Sequence, residues 1–169
     1  MTFINKQHVF LDACALVRLV VDEPGARAVR EYLETRPICF ATRFSFDEAL
    51  GVLKRKWVRG EGLSQERSLA ASYRLITRYF KSERIPLDNL RLEERDVFFA
   101  AHEIVTKHAI DLLDALQILT IQDGRYRVSS DVPDAVLLTS DRKLAAEGEG
   151  LTSWLCQNDS HVIPPLGEV

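Results

Sequence analysis

The stretch Asp134–Gly148, DAVLLTSDRKLAAEG, decides how the whole chain reads. Ala135, Val136, Leu137 and Leu138 form an unbroken apolar run, the mark of a strand buried on both faces rather than one that alternates with solvent. The run stops at Thr139-Ser140-Asp141, and DRKLAAEG then reads as a short helix. A carboxylate is therefore expected at the carboxyl end of a buried strand, where open α/β sheets bind their ligands. Asp141 or Ser140 can equally cap the helix, since both residue types do so well. One acid does not decide between these roles.

Asp12 repeats the arrangement. In VFLDACALVRL three apolar residues precede the carboxylate and a helical pattern follows it. In a parallel sheet both acids lie at the same edge. Glu48 follows the second expected strand, ICFAT, within a helix that Ser45 is expected to open. Ser45-Phe46-Asp47-Glu48 fits a capping box, which taken alone is the favoured role of Glu48, while the face it shares with Val52 and Arg55 also allows it to point into a cleft above the strand ends. Asp114 lies in DLLDALQIL, which reads as apolar nearly all round. A carboxylate there must be paired or offset, because acids are rarely buried alone. Asp111, one turn earlier, either caps this helix or joins the cluster.

Around these acids the remaining pattern alternates strand and helix. Helices are expected from Asp22-Glu23-Pro24 to about Glu34, from Ser64 to about Phe80, and from Leu92 to His108. A short strand is expected near Ile85–Leu87, a polar loop at DGRYRVSSDVP, and a last strand near Trp154-Leu155. Such alternation predicts a three-layer α/β/α sandwich around a central parallel sheet. With 169 residues the chain suits one domain, its ordered core at about 8–157 and a Pro-containing tail at 158–169.

Composition narrows the class further. With 46% hydrophobic and 28% charged residues, the chain matches an ordinary globular protein. No apolar run approaches the roughly 20 residues needed to span a bilayer, so no membrane association is expected. The start, MTFINKQHVFLDAC, lacks the features of a signal peptide. Cys14, Cys39 and Cys156 are odd in number and widely spaced, which predicts free buried thiols in a cytoplasmic protein rather than a disulfide frame or zinc site. The four histidines show no ligand spacing.

The net charge of −3 conceals an asymmetry. Lys54 to Arg84 holds nine basic residues against Glu61, Glu66 and Glu83, so that segment carries +6 and the rest of the chain −9. Four clustered acids repel, two unit charges at 4 Å costing about 4 kcal/mol at an effective dielectric near 20. A hard cation such as Mg²⁺ offsets that repulsion. Lys54, Arg55, Lys56 and Arg59 continue the helix of Glu48 and are placed to draw a polyanion towards the acids.

These segments, in this order, resemble the PIN-domain family of metal-dependent ribonucleases. The resemblance rests on VFLDACALVRL, SFDEALGVL, IDLLDALQIL and AVLLTSDRKLAAEG. It makes Asp12, Glu48, Asp114 and Asp141 the acidic quartet that binds Mg²⁺ or Mn²⁺ and catalyses phosphodiester hydrolysis in RNA, with Thr139, Ser140 and Asp111 beside them. Asp12 is followed by Ala13 and Cys14, where the family often has Ser, Thr or Asn just after the acid. Many bacterial members are VapC-type toxins, so the resemblance also implies a homodimer and a cognate antitoxin. The reading set against it is a PIN-like module that binds RNA or protein without cutting, its acids serving as caps and ion-pair partners. A phosphoacceptor receiver domain lacks its paired acids here, and a haloacid-dehalogenase-like phosphatase lacks its second Asp, because Cys14 stands there.

Overall fold

Four apolar segments pair side by side in parallel. The computed structural model describes residues 8–34, 38–81, 84–92, 94–124, 135–141 and 144. Strands β1 (His8–Leu11), β2 (Ile38–Thr42), β3 (Leu87–Asp88) and β4 (Ala135–Leu138) lie in the order β3-β2-β1-β4. The VFL run pairs on both flanks, Leu11 lying opposite Leu138 of the AVLL run and, on the other side, Ala41, and AVLL is the last strand of the order. Helices α1 (Ala13–Val20), α2 (Ala26–Glu34), α3 (Arg43–Val58), α4 (Gln65–Arg74), α5 (Arg95–His108) and α6 (Leu112–Asp123) cover the sheet. A π-helical segment, Leu75–Phe80, prolongs α4.

Strand alternation separates two cores. Val9, Leu11, Ala41 and Leu138 face Leu16, Val17, Phe46, Leu53 and Leu75 from α1, α3 and the α4 continuation. Phe10, Phe40 and Leu137 point the other way, against Ala101 of α5 and Leu116, Ile118 and Ile121 of α6. Side chains on a strand alternate between faces, so a continuous apolar run requires a layer on each side. The expected three-layer α/β/α sandwich is the observed one.

Local differences have identifiable causes. Helix α3 begins two residues before Ser45, because the Thr42 hydroxyl accepts the Ser45 N–H at 3.0 Å and serves as the cap. Ser45 therefore lies inside the first turn, and the capping box expected at Ser45–Glu48 does not form the helix start. Helix α6 is buried from Ala115 to Ile121, but Leu112 and Leu113 are about half exposed, so it is not apolar-packed all round. The short strand expected near Ile85–Leu87 pairs at Leu87–Asp88. Among the described residues, no helix is long and apolar enough to cross a membrane. Trp154-Leu155, Cys156, the loop beyond Gly124 as far as Asp134, and the tail at 158–169 lie outside the described residues.

Candidate active site

The register places Asp12 and Thr139 at one level, each directly after its strand at the carboxyl edge of the sheet. The Asp12 N–H donates to the Leu138 carbonyl at 3.2 Å, so the ladder continues to the acid itself. Asp12 is only 6% exposed and caps α1, its Oδ1 accepting the Ala13 N–H at 2.7 Å. Its other oxygen, Oδ2, accepts the Thr139 hydroxyl at 2.7 Å and the Cys14 thiol at 3.3 Å. Both carboxylate oxygens are thus held in fixed directions.

Asp141 is anchored from two sides. Its N–H donates to Thr139 Oγ1 at 3.0 Å, and its Oδ1 accepts the Leu144 N–H at 3.0 Å. The capping role open to Asp141 is therefore real, and its carboxylate still remains exposed at the cleft mouth. Cys14 ties the two strand ends together, because the Ser140 N–H donates to its sulfur at 3.1 Å. Burial, then the nearby Asp12 charge, pushes this thiol up to about 11, so it stays protonated and able to donate. Cys14 thus supplies a hydrogen bond to the first acid in place of a small hydroxyl.

Thr139 connects the acids at both strand ends, donating to one and accepting from the backbone of the other. Thr139→Val keeps the shape and removes both bonds, leaving the buried Asp12 oxygen with the thiol alone. The expected cost is about 1–3 kcal/mol, read as a lower denaturant midpoint at unchanged slope. A midpoint within error of wild type would show that the hydroxyl carries no structural role.

Glu48 and Asp114 come from helices on opposite sides of the sheet edge. Glu48 lies on α3, half-buried, and lines a cleft of about 360 Å³ with Asp12, Cys14, Glu23, Val52 and Asp141. Burial pushes its pKa up, followed by the charge of Asp12, while Arg55 opposes the rise and Asp111 and Asp141 add to it. Asp114, in the first turn of α6, is pushed to about 6 by burial and then by Asp12, Asp141, Glu48 and Asp111. Glu48 and Asp114 therefore share Asp12, Asp111 and Asp141 as charged neighbours. Asp111 occupies the cap position of α6 without a side-chain capping bond and is exposed. Ser140 is half-buried beside the cleft.

The basic residues divide. Lys54, Arg55 and Arg59 are exposed, and Arg59 stands 3.9 Å from Glu61. Lys56 differs, its Nζ held at 2.8 Å by Glu23, which also faces Arg18 at 3.7 Å. Glu23 and Cys14 are the site residues that the sequence reading passed over. A position two residues after Asp12, in the first helical turn, was the available signal for Cys14. Asp88 is another acid at the sheet edge, fully buried opposite Thr42, its Oδ1 accepting the Asn89 N–H at 2.9 Å.

The donor chemistry of the four acids suits a hard divalent cation, and the repulsion by which Asp12 and Asp141 help to hold Glu48 and Asp114 protonated is what such a cation relieves. Among the described residues, no group of three or more His, Cys, Asp and Glu side chains is arranged closely enough to hold a metal ion. Mg²⁺ commonly takes only one or two carboxylates plus waters.

A sequence model of the PIN domain matches residues 9–147. Among solved structures, the crystal structure of PAE2754 from Pyrobaculum aerophilum is similar, with a TM-score of 0.52 and 18% identity over 87% of this chain and 85% of that one. At that identity the likeness concerns the fold. No curated protein matches the sequence. With its parallel sheet, its acids at the carboxyl edge and the family match across nearly the whole described fold, the chain belongs to the PIN-domain family.

Proposed function

We propose that the chain is a metal-dependent endoribonuclease that hydrolyses RNA phosphodiester bonds at Asp12, Glu48, Asp114 and Asp141. PIN domains are generally nucleases and typically use divalent metals. The observation that carries the reading is Asp114, whose carboxyl is pushed to about 6 by burial and by acids from three other segments. Perturbed groups cluster at functional sites, and Glu48, raised by burial and by Asp12, Asp111 and Asp141 in turn, lines a cleft with Asp12 and Asp141. Bound Mg²⁺ or Mn²⁺ supplies Lewis acidity to the scissile phosphodiester.

The chain's own residues divide the remaining work. Asp12, with both oxygens directed, is the rigid anchor. Glu48 and Asp141 both line the cleft, and Arg55 brings positive charge beside Glu48 for an incoming phosphate. Lys54 and Arg59 extend that attraction, while Lys56, held by Glu23, fixes the α3 surface against the loop before α2.

The same reading includes two protein partners. Phe98, Phe99, Leu112 and Leu113 expose apolar surface on the packed helices α5 and α6, close in sequence to Asp114, which supports a homodimer. An acidic cleft bordered by basic residues suits a cognate antitoxin segment, making the protein the toxin of a VapBC-type pair. The other reading, a PIN-like module that binds without cutting, is favoured by one observation, that no group of three or more such side chains among the described residues is close enough to hold a metal ion.

Melting of wild type and Asp141→Asn in EDTA, Mg²⁺ and Mn²⁺, with RNA cleavage on the same samples, separates the two. Asn keeps the helix cap and removes the charge. A ligand at 100 times its Kd adds about 2.7 kcal/mol to the native state, roughly 5–10 °C for a domain of this size. Metal-dependent stabilisation and cleavage in wild type alone supports the nuclease. A protein that metal neither stabilises nor activates is the binding module.

A further inference from the structure

The basic segment continues well past the acidic cleft. Arg67, Arg74 and Arg78 are spaced seven and four residues apart along α4 and its π-helical continuation, which returns them to one side of a helix. All three are exposed. Arg67 and Arg74 line a cleft of about 400 Å³ with Leu63 and Ala71. Arg74 and Arg78 line a second, of about 890 Å³, which Arg30 of α2 and Arg84 before β3 also border. Val20, Asp22 and Arg74 belong to both, so the two clefts form one channel. Its far end, at Cys39 and Ile85, reaches the amino edge of the sheet, opposite the acids. Where the two clefts meet, Asp22 precedes Glu23 of the acidic cleft in the chain.

The charges along this channel are mostly of one sign. Asp22 and Glu34 are the acids that line it, and Asp22 is engaged by Arg30 at 3.5 Å. Arg30 and Arg74 also donate to the carbonyls of Val21 and Val20, at 3.1 and 3.5 Å, and so are fixed in place by the end of α1. Two tyrosines neighbour the arginines in the chain, Tyr73 before Arg74 and Tyr79 after Arg78. Tyr73 is 70% exposed, and the Arg78 guanidinium lies 5.8 Å from the centre of the half-buried Tyr79 ring. A row of cations tracks a regularly charged backbone, and interleaved rings offer faces for unpaired bases. Eleven residues at the helical rise span about 16 Å, enough for several phosphates.

We propose that the arginine row of Arg67, Arg74 and Arg78, continued by Arg84, is a track for single-stranded RNA leading away from the acid cluster. The proposal rests on the nuclease reading in naming RNA as the polyanion. It assigns to this chain a second contact surface, remote from the scissile bond, that holds the flanking strand.

The test is binding in EDTA, where no metal-dependent cleavage interferes. Fluorescence anisotropy with a 5′-labelled unstructured 12-nucleotide RNA is followed from 0.05 to 0.5 M salt. For Arg67→Gln/Arg78→Gln/Arg84→Gln, three lost phosphate contacts at about 0.7 each lower the slope of log K against log salt by about 2, and weaken binding about 100-fold at 0.1 M salt. Arg27→Gln/Arg91→Gln/Arg95→Gln removes the same net charge from exposed positions elsewhere and is expected to bind like wild type. Arg67→Gln alone, on an exposed side chain, is expected to lower the slope by about 0.7 and serves if the triple variant does not fold.

Equal losses in the two triple variants, or wild type that binds no RNA, overturn the track. A wild type whose binding depends on the row but which cuts nothing with Mg²⁺ retains the track and removes the nuclease reading.

Discussion

Asp114→Asn is expected to lower Mg²⁺-dependent RNA cleavage by about 10³-fold or more while raising the melting temperature of the metal-free protein at pH 7.5. The two effects share one cause. In the folded chain the Asp114 carboxyl is pushed to about 6 from an ordinary 3.8, chiefly by burial and then by Asp12, Asp141, Glu48 and Asp111. The folded state thus binds this proton more tightly than the unfolded state. Its stability falls as pH rises from about 4 through about 6, and stays low above. Asparagine removes that dependence together with the charge. The gain over wild type should be small near pH 4 and largest above pH 6.5. Glu48, raised by the same acids, should soften in parallel.

Catalysis moves the other way. Metal-assisted stabilisation of a reacting phosphate is worth several kcal/mol, and each 1.4 kcal/mol is about tenfold in rate. Melting scans in EDTA at pH 4.5, 6 and 7.5, beside cleavage in Mg²⁺, measure both. If Asp114→Asn instead lowers the melting temperature at pH 7.5 in EDTA, its carboxylate has a compensating partner and the acids do not converge. An unchanged rate in Mg²⁺ would remove Asp114 from the catalytic set.

The architecture was legible because strand ends and acids coincide in the chain. VFL before Asp12 and AVLL before Thr139 place both residues at the sheet edge once a parallel sheet is assumed, and the register bears that placement out. Where the sequence misled, a local signal competed with one made by distant residues. The Ser45–Glu48 spacing satisfies a capping rule, but Thr42 at the end of β2 had already supplied the hydroxyl. The apolar run around Asp114 mixes a buried segment, from Ala115 onward, with exposed Leu112 and Leu113, and periodicity alone cannot separate them. Cys14 looked like an isolated core thiol because its partners, Thr139 and Ser140, are more than 120 residues away. Lys56 counted as one charge in a basic run, whereas the fold spends it on Glu23. Pairings between remote segments decide each of these cases, and composition and spacing carry no trace of them.

Phe10→Ala should produce the largest loss of stability among single changes outside the site. Phe10 is 1% exposed on the central strand β1, its ring 5.4 Å from that of Phe40, and it faces the core shared by α5 and α6. Removing a buried phenyl loses its transfer free energy and leaves a cavity, together about 3–5 kcal/mol. Domains of this size unfold with about 5–15 kcal/mol in total. At roughly 2–4 °C per kcal/mol, the melting temperature should fall by about 6–20 °C. Phe10→Leu, which keeps much of the volume, should lose far less.

The position of Phe10 next to Asp12 makes the comparison informative about function. The backbone of β1 carries the first acid, whereas the Phe10 ring supports the layer whose α6 holds Asp114. If ladder bonds and capping fix Asp12, the folded fraction of Phe10→Ala at 15 °C should keep binding metal, with reduced cleavage traceable to a looser α6. Leu53→Ala offers the control on the opposite layer, which carries Glu48 on α3. The two cores lie on different faces of the sheet, so the double variant should add to within about 0.5 kcal/mol. A coupling well above that would mean that the sheet transmits packing changes between its faces. The supports of Glu48 and Asp114 would then be mechanically one unit.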